Sequence, residues 1–188
     1  MRTYKLTIAY DGTRYQGWQR QANTERTIQG ILENVISDAA GNHVEVNGSG
    51  RTDAGVHALG QVASVVLHGA VEEDFFTETV NQMLPTDIRI REACLVKNGF
   101  HARKSAVGKI YEYCIDTGDK PDVFRRRYCC HYPYELDRER MRQAGALLKG
   151  THDFAGYTDK KAEISTKRTI YDIIVSGQGS SVTIRYEG

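Results

Sequence analysis

The sequence has few cysteines and no long apolar run. Its 188 residues include four cysteines, Cys94, Cys114, Cys129 and Cys130, without the Cys-x-x-Cys spacing of zinc and redox motifs. The run Cys129-Cys130-His131 is a poor metal candidate, because neighbouring side chains on an extended chain point to opposite faces. Neither a signal peptide nor an apolar span of membrane length is present. These absences predict a reduced cytoplasmic protein with no metal and no membrane partner.

The sequence also lacks a net charge that would identify a partner. It has 25 Lys and Arg against 24 Asp and Glu, a net charge of +1. Basic residues cluster only locally, at Arg125-Arg126-Arg127, Lys160-Lys161 and Lys167-Arg168. Each cluster is more often a solvated surface than a binding site, although a nucleic-acid partner would need phosphate contacts of this kind.

The most informative stretch is the Gly-rich segment from Gly48 to His57, Gly-Ser-Gly-Arg-Thr-Asp-Ala-Gly-Val-His. Its glycines allow positive φ and close approach of a ligand to the backbone. It lacks the Lys-Ser/Thr ending of a phosphate-binding P-loop, which disfavours nucleotide hydrolysis. Two interpretations remain open. The segment is either an ordinary turn with Arg51 solvated, or a rigid loop that presents an ionised Asp53 as nucleophile or base beside Arg51.

Periodicity predicts the order strand, helix, strand, strand, helix, strand over the first hundred residues. The strands are predicted at 4–10, 43–47, 60–67 and 87–96, and the helices from Thr27 to Gly41 and from Glu72 to Leu84. This order is the split βαβ unit of ferredoxin-like folds, so the Gly-rich segment connects two sheet strands. Residues 13–21 are irregular, and their aromatic, amide and Arg side chains suit base stacking. Alternatively, Tyr15 and Trp18 cover the end of the core.

The second half repeats part of this pattern. A strand is predicted at 109–116 with Tyr111 and Tyr113 on one face, a helix at 137–148, and a hairpin formed by 169–175 and 181–186. This half lacks one helix and one strand of the first. We therefore predict an α+β protein with two ferredoxin-like or RRM-like βαββαβ halves, residues 1–104 and 105–188. The halves share a mainly antiparallel sheet with helices on one side, and the second half is incomplete.

Short motifs are spread along nearly the whole chain. They are Tyr10-Asp11-Gly12-Thr13, Gly17-Trp18-Gln19, Thr27-Ile28-Gln29, Gly50 to His57, Leu84-Pro85 with Asp87-Ile88, Phe100-His101-Ala102-Arg103, Tyr111-Glu112-Tyr113 and Gly150 to Phe154. Together they resemble the tRNA pseudouridine synthases of the TruA family. The resemblance implies an enzyme that isomerises uridine to pseudouridine at positions 38, 39 and 40 of the tRNA anticodon arm. It also implies a homodimer that needs no cofactor.

The resemblance implies roles for individual residues as well. Asp53 matches the catalytic aspartate, Arg51 the arginine that helps to displace the target base, and Tyr111 the tyrosine that packs on this base. His57 and Arg103 are further candidates for substrate binding, with support of the loop as the alternative for His57. The carboxylate of Asp53 either attacks C1′ of the ribose or abstracts a sugar proton, and the sequence leaves both mechanisms open.

Family members continue beyond the position of Gly188 with an apolar segment whose arginine pairs with the catalytic aspartate. Removing one partner of a buried ion pair typically costs about 3 to 5 kcal/mol. We therefore expect the 188-residue chain to keep the fold and to be poorly active or inactive. A non-catalytic RNA-binding module is the alternative function.

Overall fold

The computed structural model describes residues 1–158 and 165–188, which form two compact units, Met1–Ala106 and Val107–Gly188. The pair Lys160-Lys161 lies outside the described residues. Helices and mainly antiparallel sheets confirm the α+β class. In the described part of the chain, each sheet consists of strands from one unit, whereas the sequence analysis expects a sheet shared by the two halves.

The first unit is a four-stranded sheet with two helices. Its elements are β1 (Arg2–Tyr10), α1 (Ile28–Ala40), β2 (Asn47–Gly48), β3 (Ala58–Leu67), α2 (Glu73–Met83) and β4 (Ile88–Val96). The strand order is β2-β3-β1-β4, and every neighbouring pair is antiparallel. This arrangement confirms the split βαβ unit and makes β2 and β3, which flank the Gly-rich segment, direct neighbours.

Both helices of the first unit begin and end where side-chain chemistry requires it. The hydroxyl of Thr27 accepts a hydrogen bond from the backbone N–H of Gly30 at the start of α1 (3.3 Å), and Gly41 ends this helix in the left-handed conformation. The carboxylate of Glu72 accepts hydrogen bonds from two backbone N–H groups at the start of α2. Pro85 follows the end of α2, because it cannot continue the helical hydrogen bonding.

The core of the first unit is built from the alternating face of β1 and the apolar stripes of the helices. Its most buried members include Leu6, Ile8, Ile28, Leu32, Ile36, Val65 and Val80. The predicted strand at 43–47 is much shorter, since only Asn47 and Gly48 pair with β3. Instead, side chains of α1 accept hydrogen bonds from the backbone between α1 and β2. Ser37 Oγ accepts the N–H of Val44 (2.9 Å), and Glu33 Oε1 accepts that of Val46 (3.2 Å).

The second unit repeats the first part of this topology. Its elements are β5 (Ile110–Asp116), β6 (Cys130–His131), α3 (Arg138–Leu148), β7 (Gly150–Asp153), β8 (Lys167–Ile170), β9 (Asp172–Ser176) and β10 (Ser181–Glu187). The main sheet has the order β6-β5-β10-β9, so β5, β9 and β10 are arranged as β1, β2 and β3 are in the first unit. The strand predicted at 169–175 is divided at Tyr171, because β8 pairs with β7 whereas β9 pairs with β10.

Candidate active site

The Asp53 loop (residues 49–57) joins β2 to β3 and is held at its start by β3 itself. The backbone N–H of Ser49 donates to the carbonyl oxygen of Val62 (2.7 Å). The side-chain amide of Gln61 donates to the carbonyl oxygen of Gly50 (2.7 Å). The loop therefore leaves the sheet in a defined direction before it reaches Asp53.

Asp53 lies in an exposed turn of this loop. Its carbonyl oxygen accepts the N–H of Val56 (3.2 Å), and Gly55 has the positive φ of 79° that the turn requires. Among the described residues of the first unit, no group binds the Asp53 carboxylate, and the exposed Arg51 makes no ion pair with it. The carboxylate is therefore open to a substrate, and the loop does not supply the adjacent guanidinium considered in the sequence analysis.

A second stretch, the cradle segment (residues 10–18), runs against the Asp53 loop. The hydroxyls of Tyr10 and Thr52 are hydrogen-bonded at 2.9 Å. The backbone N–H of Trp18 donates to the carbonyl oxygen of Thr52 (3.0 Å), and that of Gly55 donates to the carbonyl oxygen of Tyr15 (3.3 Å). The rings of Tyr15 and Trp18 are buried. They therefore cover the end of the core, and neither ring is available for base stacking.

Two glycines allow the two backbones to touch. A Cβ atom at Gly12 would overlap the carbonyl oxygen of Val56, and one at Gly17 would lie 2.6 Å from the carbonyl oxygen of Thr52. Gly17 also has a φ of 90°, which side chains other than glycine rarely adopt. These positions explain the glycines of the two N-terminal motifs by close packing against the loop.

His57 connects the end of the Asp53 loop to the cradle segment. Its Nδ1 accepts a hydrogen bond from the backbone N–H of Gly12 (3.2 Å) and lies 3.1 Å from Oδ1 of Asp11. Its side chain is 27% exposed. This position favours support of the loop over substrate contact.

Asp87 anchors the cradle segment to the turn between α2 and β4. Its carboxylate accepts hydrogen bonds from the hydroxyl of Tyr15 (2.6 Å) and from Nε of Arg14 (2.8 Å). Burial acts to raise the pKa of the Asp87 carboxyl, but the bonds from Tyr15 and Arg14 outweigh it and hold this pKa below its ordinary value. Burial, together with the bond to Asp87, raises the pKa of Tyr15 to about 12. Asp87 stands in the motif Leu84-Pro85 with Asp87-Ile88, but the motif alone does not indicate this structural role.

Arg103 lies in a turn that follows β4. The preceding Ala102 is buried, and its backbone N–H donates to Ser64 Oγ on β3 (3.1 Å). The backbone N–H of Arg103 donates to Nδ1 of His101 (3.2 Å), and the Arg103 side chain is exposed. The turn is therefore anchored on the sheet, and the guanidinium extends from it into solvent.

Tyr111 belongs to β5 of the second unit. It is 39% exposed, and its ring stacks on that of Tyr186 of β10, with centroids 4.9 Å apart and planes 17° apart. The ring of Tyr113 is also nearly parallel to that of Tyr186, with planes 11° apart and centroids 6.4 Å apart. Burial, followed by the neighbouring Tyr113 and Tyr111, raises the pKa of Tyr186 to about 12. Tyr111 thus presents part of an ordered aromatic surface.

The described residues contain neither a metal-ligand cluster nor a membrane-length helix. Within residues 1–158 and 165–188, no group of three or more His, Cys, Asp or Glu side chains could hold a metal ion. No helix in this part of the chain is long and apolar enough to cross a membrane. His131 of the Cys129-Cys130-His131 run is instead hydrogen-bonded through Nε2 to the carbonyl oxygen of Gly118 (2.8 Å).

The comparison with known proteins decides the family. A family model of tRNA pseudouridine synthases matches residues 6–103, which include the cradle segment and the Asp53 loop. The tRNA pseudouridine synthase A of Bacillus sp. (strain KSM-64) is 43% identical, over the whole chain and 78% of that relative. The chain belongs to the tRNA pseudouridine synthase family. This family consists of isomerases, which confirms the predicted family and enzyme class.

Further tRNA pseudouridine synthases give the same result. The tRNA pseudouridine synthase A of Acetivibrio thermocellus is 40% identical over the whole chain and 77% of its own length. That of Lacticaseibacillus casei (strain BL23) is 44% identical over 93% of the chain and 71% of its own length. The pseudouridine synthase family model spans Arg51, Asp53, His57 and Arg103, and the aligned relatives also span Tyr111.

Proposed function

We propose that this chain isomerises uridine to pseudouridine in tRNA and that Asp53 is the catalytic carboxylate. The observation that carries the proposal is the exposed Asp53 carboxylate, unpaired within the described first unit, on a loop that β3 and the cradle segment hold. A carboxylate with this combination of fixed backbone and open face can be aimed at a substrate. The names of the relatives support tRNA as the substrate class.

The reaction needs such a group. The bond between N1 of uracil and C1′ of the ribose breaks, the uracil turns, and a new bond forms between C5 and C1′, after which the C5 proton is lost. An ionised carboxylate can attack C1′ and form a covalent intermediate, or it can abstract the C2′ proton to give a glycal. Both mechanisms require the carboxylate to lie beside the ribose and away from bulk water, so its placement matters more than its intrinsic basicity.

We assign supporting roles to the other predicted residues. Taking the target uridine out of the stack costs a few kcal/mol. The exposed Arg51 can occupy the vacated space, and the exposed part of Tyr111 can stack on the base. The exposed Arg103 can contact a phosphate. His57 binds the cradle segment, and we assign it to support of the loop.

The target positions in tRNA, the oligomeric state and the absence of a cofactor are proposed from the motif resemblance. We propose that the target uridines lie at positions 38, 39 and 40 of the anticodon arm, that the enzyme acts as a cytoplasmic homodimer, and that it needs no cofactor. Transcripts that carry a single uridine in the anticodon arm, at one of these positions, test the specificity. Modification of a uridine elsewhere in the tRNA, with none at these positions, would contradict it, and a monomer in sedimentation equilibrium with bound tRNA would contradict the dimer.

The chemistry is tested by tritium release from C5 of uridine in unmodified tRNA. We expect slow release by the wild-type chain, in line with the poor activity predicted from its sequence, and none by Asp53→Ala, with tRNA affinity preserved in the variant. Asp38→Ala is the matched control, because Asp38 is an exposed carboxylate on α1 outside the loop, and it should release tritium as the wild type does. Binding of tRNA without release by the wild type would contradict the proposal and support the non-catalytic RNA-binding module.

A further inference from the structure

We infer that the hydroxyl pair formed by Tyr10 and Thr52 aims Asp53, which makes Tyr10 and Thr52 positioning residues of the enzyme. This inference rests on the proposed function of Asp53. Tyr10 is the last residue of β1, and Thr52 directly precedes Asp53 in the loop. A fixed strand end is thereby linked to the residue next to the candidate catalytic carboxylate.

The backbone contacts to Thr52 act on its carbonyl group, and the hydroxyl pair adds a contact on its side chain. The carbonyl oxygen of Thr52 is bound by the N–H of Trp18 (3.0 Å), and Gly17 packs against the same carbonyl. Both contacts act on the carbonyl group of the peptide that joins Thr52 to Asp53. Rotation of Thr52 about its backbone is opposed by its own side chain, whose hydroxyl lies 2.9 Å from that of Tyr10.

The direction of Thr52 determines that of Asp53. Thr52 and Asp53 share one planar peptide bond, so a rotation of Thr52 about its backbone also turns Asp53. Thr52 points toward the buried Tyr10 and is half-buried, whereas Asp53 is exposed. If the hydroxyl pair were lost, the Thr52 side chain could turn away from the core, and Asp53 would then lose its fixed orientation. Catalytic groups need placement to within about 0.5 Å, so a small rotation is sufficient to impair the reaction.

The chemical environment of Tyr10 fits a permanent hydrogen bond. Its ring is 5% exposed at the end of β1 and packs against Trp18, with centroids 6.0 Å apart. A buried hydroxyl without a partner is unfavourable, and Thr52 Oγ1 is the partner that the structure provides. Burial also raises the pKa of Tyr10, although the bond with Thr52 acts in the opposite direction, so the phenol stays protonated at neutral pH.

The chain offers a matched control for the loss of a tyrosine hydroxyl. Tyr4 lies near the other end of the same strand and is equally buried. Its hydroxyl accepts the backbone N–H of Val71 (3.0 Å), and among the described residues no hydrogen bond joins it to the Asp53 loop. The substitution Tyr4→Phe therefore removes the same atom from the same strand without touching the loop. The pair Thr52→Val and Thr52→Ser separates the hydroxyl of Thr52 from its bulk.

The direct test is amide hydrogen exchange by NMR at the N–H groups of Trp18 and Gly55, which donate the backbone–backbone hydrogen bonds between the cradle segment and the loop. We expect exchange about tenfold faster in Tyr10→Phe and Thr52→Val, which corresponds to the loss of one hydrogen bond. Wild-type rates are expected in Thr52→Ser and Tyr4→Phe. Unchanged rates in Tyr10→Phe, or an equal increase in Tyr4→Phe, would overturn the inference.

The catalytic consequence is measured by tritium release and tRNA affinity in the same variants. Tyr10→Phe and Thr52→Val should lower kcat by about tenfold or more with little change in KM or tRNA affinity, and Thr52→Ser should restore kcat. A wild-type kcat in Tyr10→Phe would overturn the positioning role. The variant Asp53→Ala separates the proposed function of Asp53 from the positioning role of the hydroxyl pair. Tritium release that persists in Asp53→Ala would refute the proposed function, while the exchange rates would still decide whether the hydroxyl pair holds the loop.

Discussion

Replacement of Asp87 by Asn should destabilise the first unit, because Asp87 holds the cradle segment in place. In the wild type its Oδ1 accepts the hydroxyl of Tyr15 at 2.6 Å, and its Oδ2 lies 2.8 Å from Nε and 2.7 Å from Nη2 of Arg14. Asn keeps one acceptor for Tyr15. It loses the charge, and its amide group would face the donors of Arg14.

The magnitude follows from these contacts. A hydrogen bond to a charged group contributes about 1.5 to 3 kcal/mol, and a neutral one about 0.5 to 1.5 kcal/mol, so the bond to Tyr15 weakens by about 1 to 1.5 kcal/mol. The side chain of Arg14 is 63% exposed, which limits the ion pair to about 1 kcal/mol. The free energy of unfolding of Asp87→Asn should therefore be about 1 to 2.5 kcal/mol lower at neutral pH.

The pH dependence provides a sharper test than the magnitude. Because the pKa of Asp87 is lowered in the folded protein, its stabilising contribution is fully present above the unfolded-state pKa of about 3.9. This contribution is lost as the pH falls through the folded pKa. The difference in unfolding free energy between the wild type and Asp87→Asn should therefore be constant from about pH 7 to pH 5 and shrink below about pH 4.

Urea unfolding followed by tryptophan fluorescence measures this difference for the first unit, to which Asp87 belongs. Trp18 is the single tryptophan and lies buried in the first unit. Asp38→Asn, an exposed carboxylate on α1, is the control and should change stability by less than about 0.5 kcal/mol. Equal midpoints for the wild type and Asp87→Asn at neutral pH, or a difference that grows as the pH falls, would refute the role assigned to Asp87.

Three further predictions follow from other contacts. Gly48→Ala should cost about 1 to 3 kcal/mol, because its Cβ would lie 2.6 Å from the ring of buried Trp18; unchanged urea midpoints would contradict this packing. Glu33→Ala should cost about 2 to 3 kcal/mol, since it leaves the buried N–H of Val46 without its acceptor, and Glu33→Gln should recover most of the loss in the same assay. In an alkaline titration of tyrosine absorbance, Tyr186→Phe should remove one tyrosine that titrates near pH 12. The raised pKa also means that wild-type stability falls more steeply than that of Tyr186→Phe between pH 10.0 and about 12.

The sequence predicts local structure well where a single stretch determines it. The helix α1 begins after Thr27 and ends at Gly41 as predicted. Its capping residues and its apolar stripe can be recognised within this stretch of sequence alone. The β7–β8 ribbon was not predicted. Its strand Gly150–Asp153 is exposed throughout and therefore lacks the alternation that indicates a half-buried strand.

For the candidate site, the sequence identified the loop but not what holds it. The carboxylate of Asp53 and the cation of Arg51 are recognisable from residue type and motif. The bond between Tyr10 and Thr52 joins residues 42 positions apart, and no local pattern encodes such a contact. Gly12 and Gly17 were the available signal, because a glycine in a motif can mark a close approach of two backbones.

The central claim is that the carboxylate of Asp53 carries out the isomerisation. Single-turnover tritium release from C5-labelled tRNA, measured for the wild type and for Asp53→Asn with tRNA affinity in parallel, tests it most directly. Asn has nearly the shape of Asp but cannot attack C1′ or accept a sugar proton. The account predicts release by the wild type, none by Asp53→Asn, and equal affinity for tRNA. Release by Asp53→Asn at the wild-type rate would contradict it.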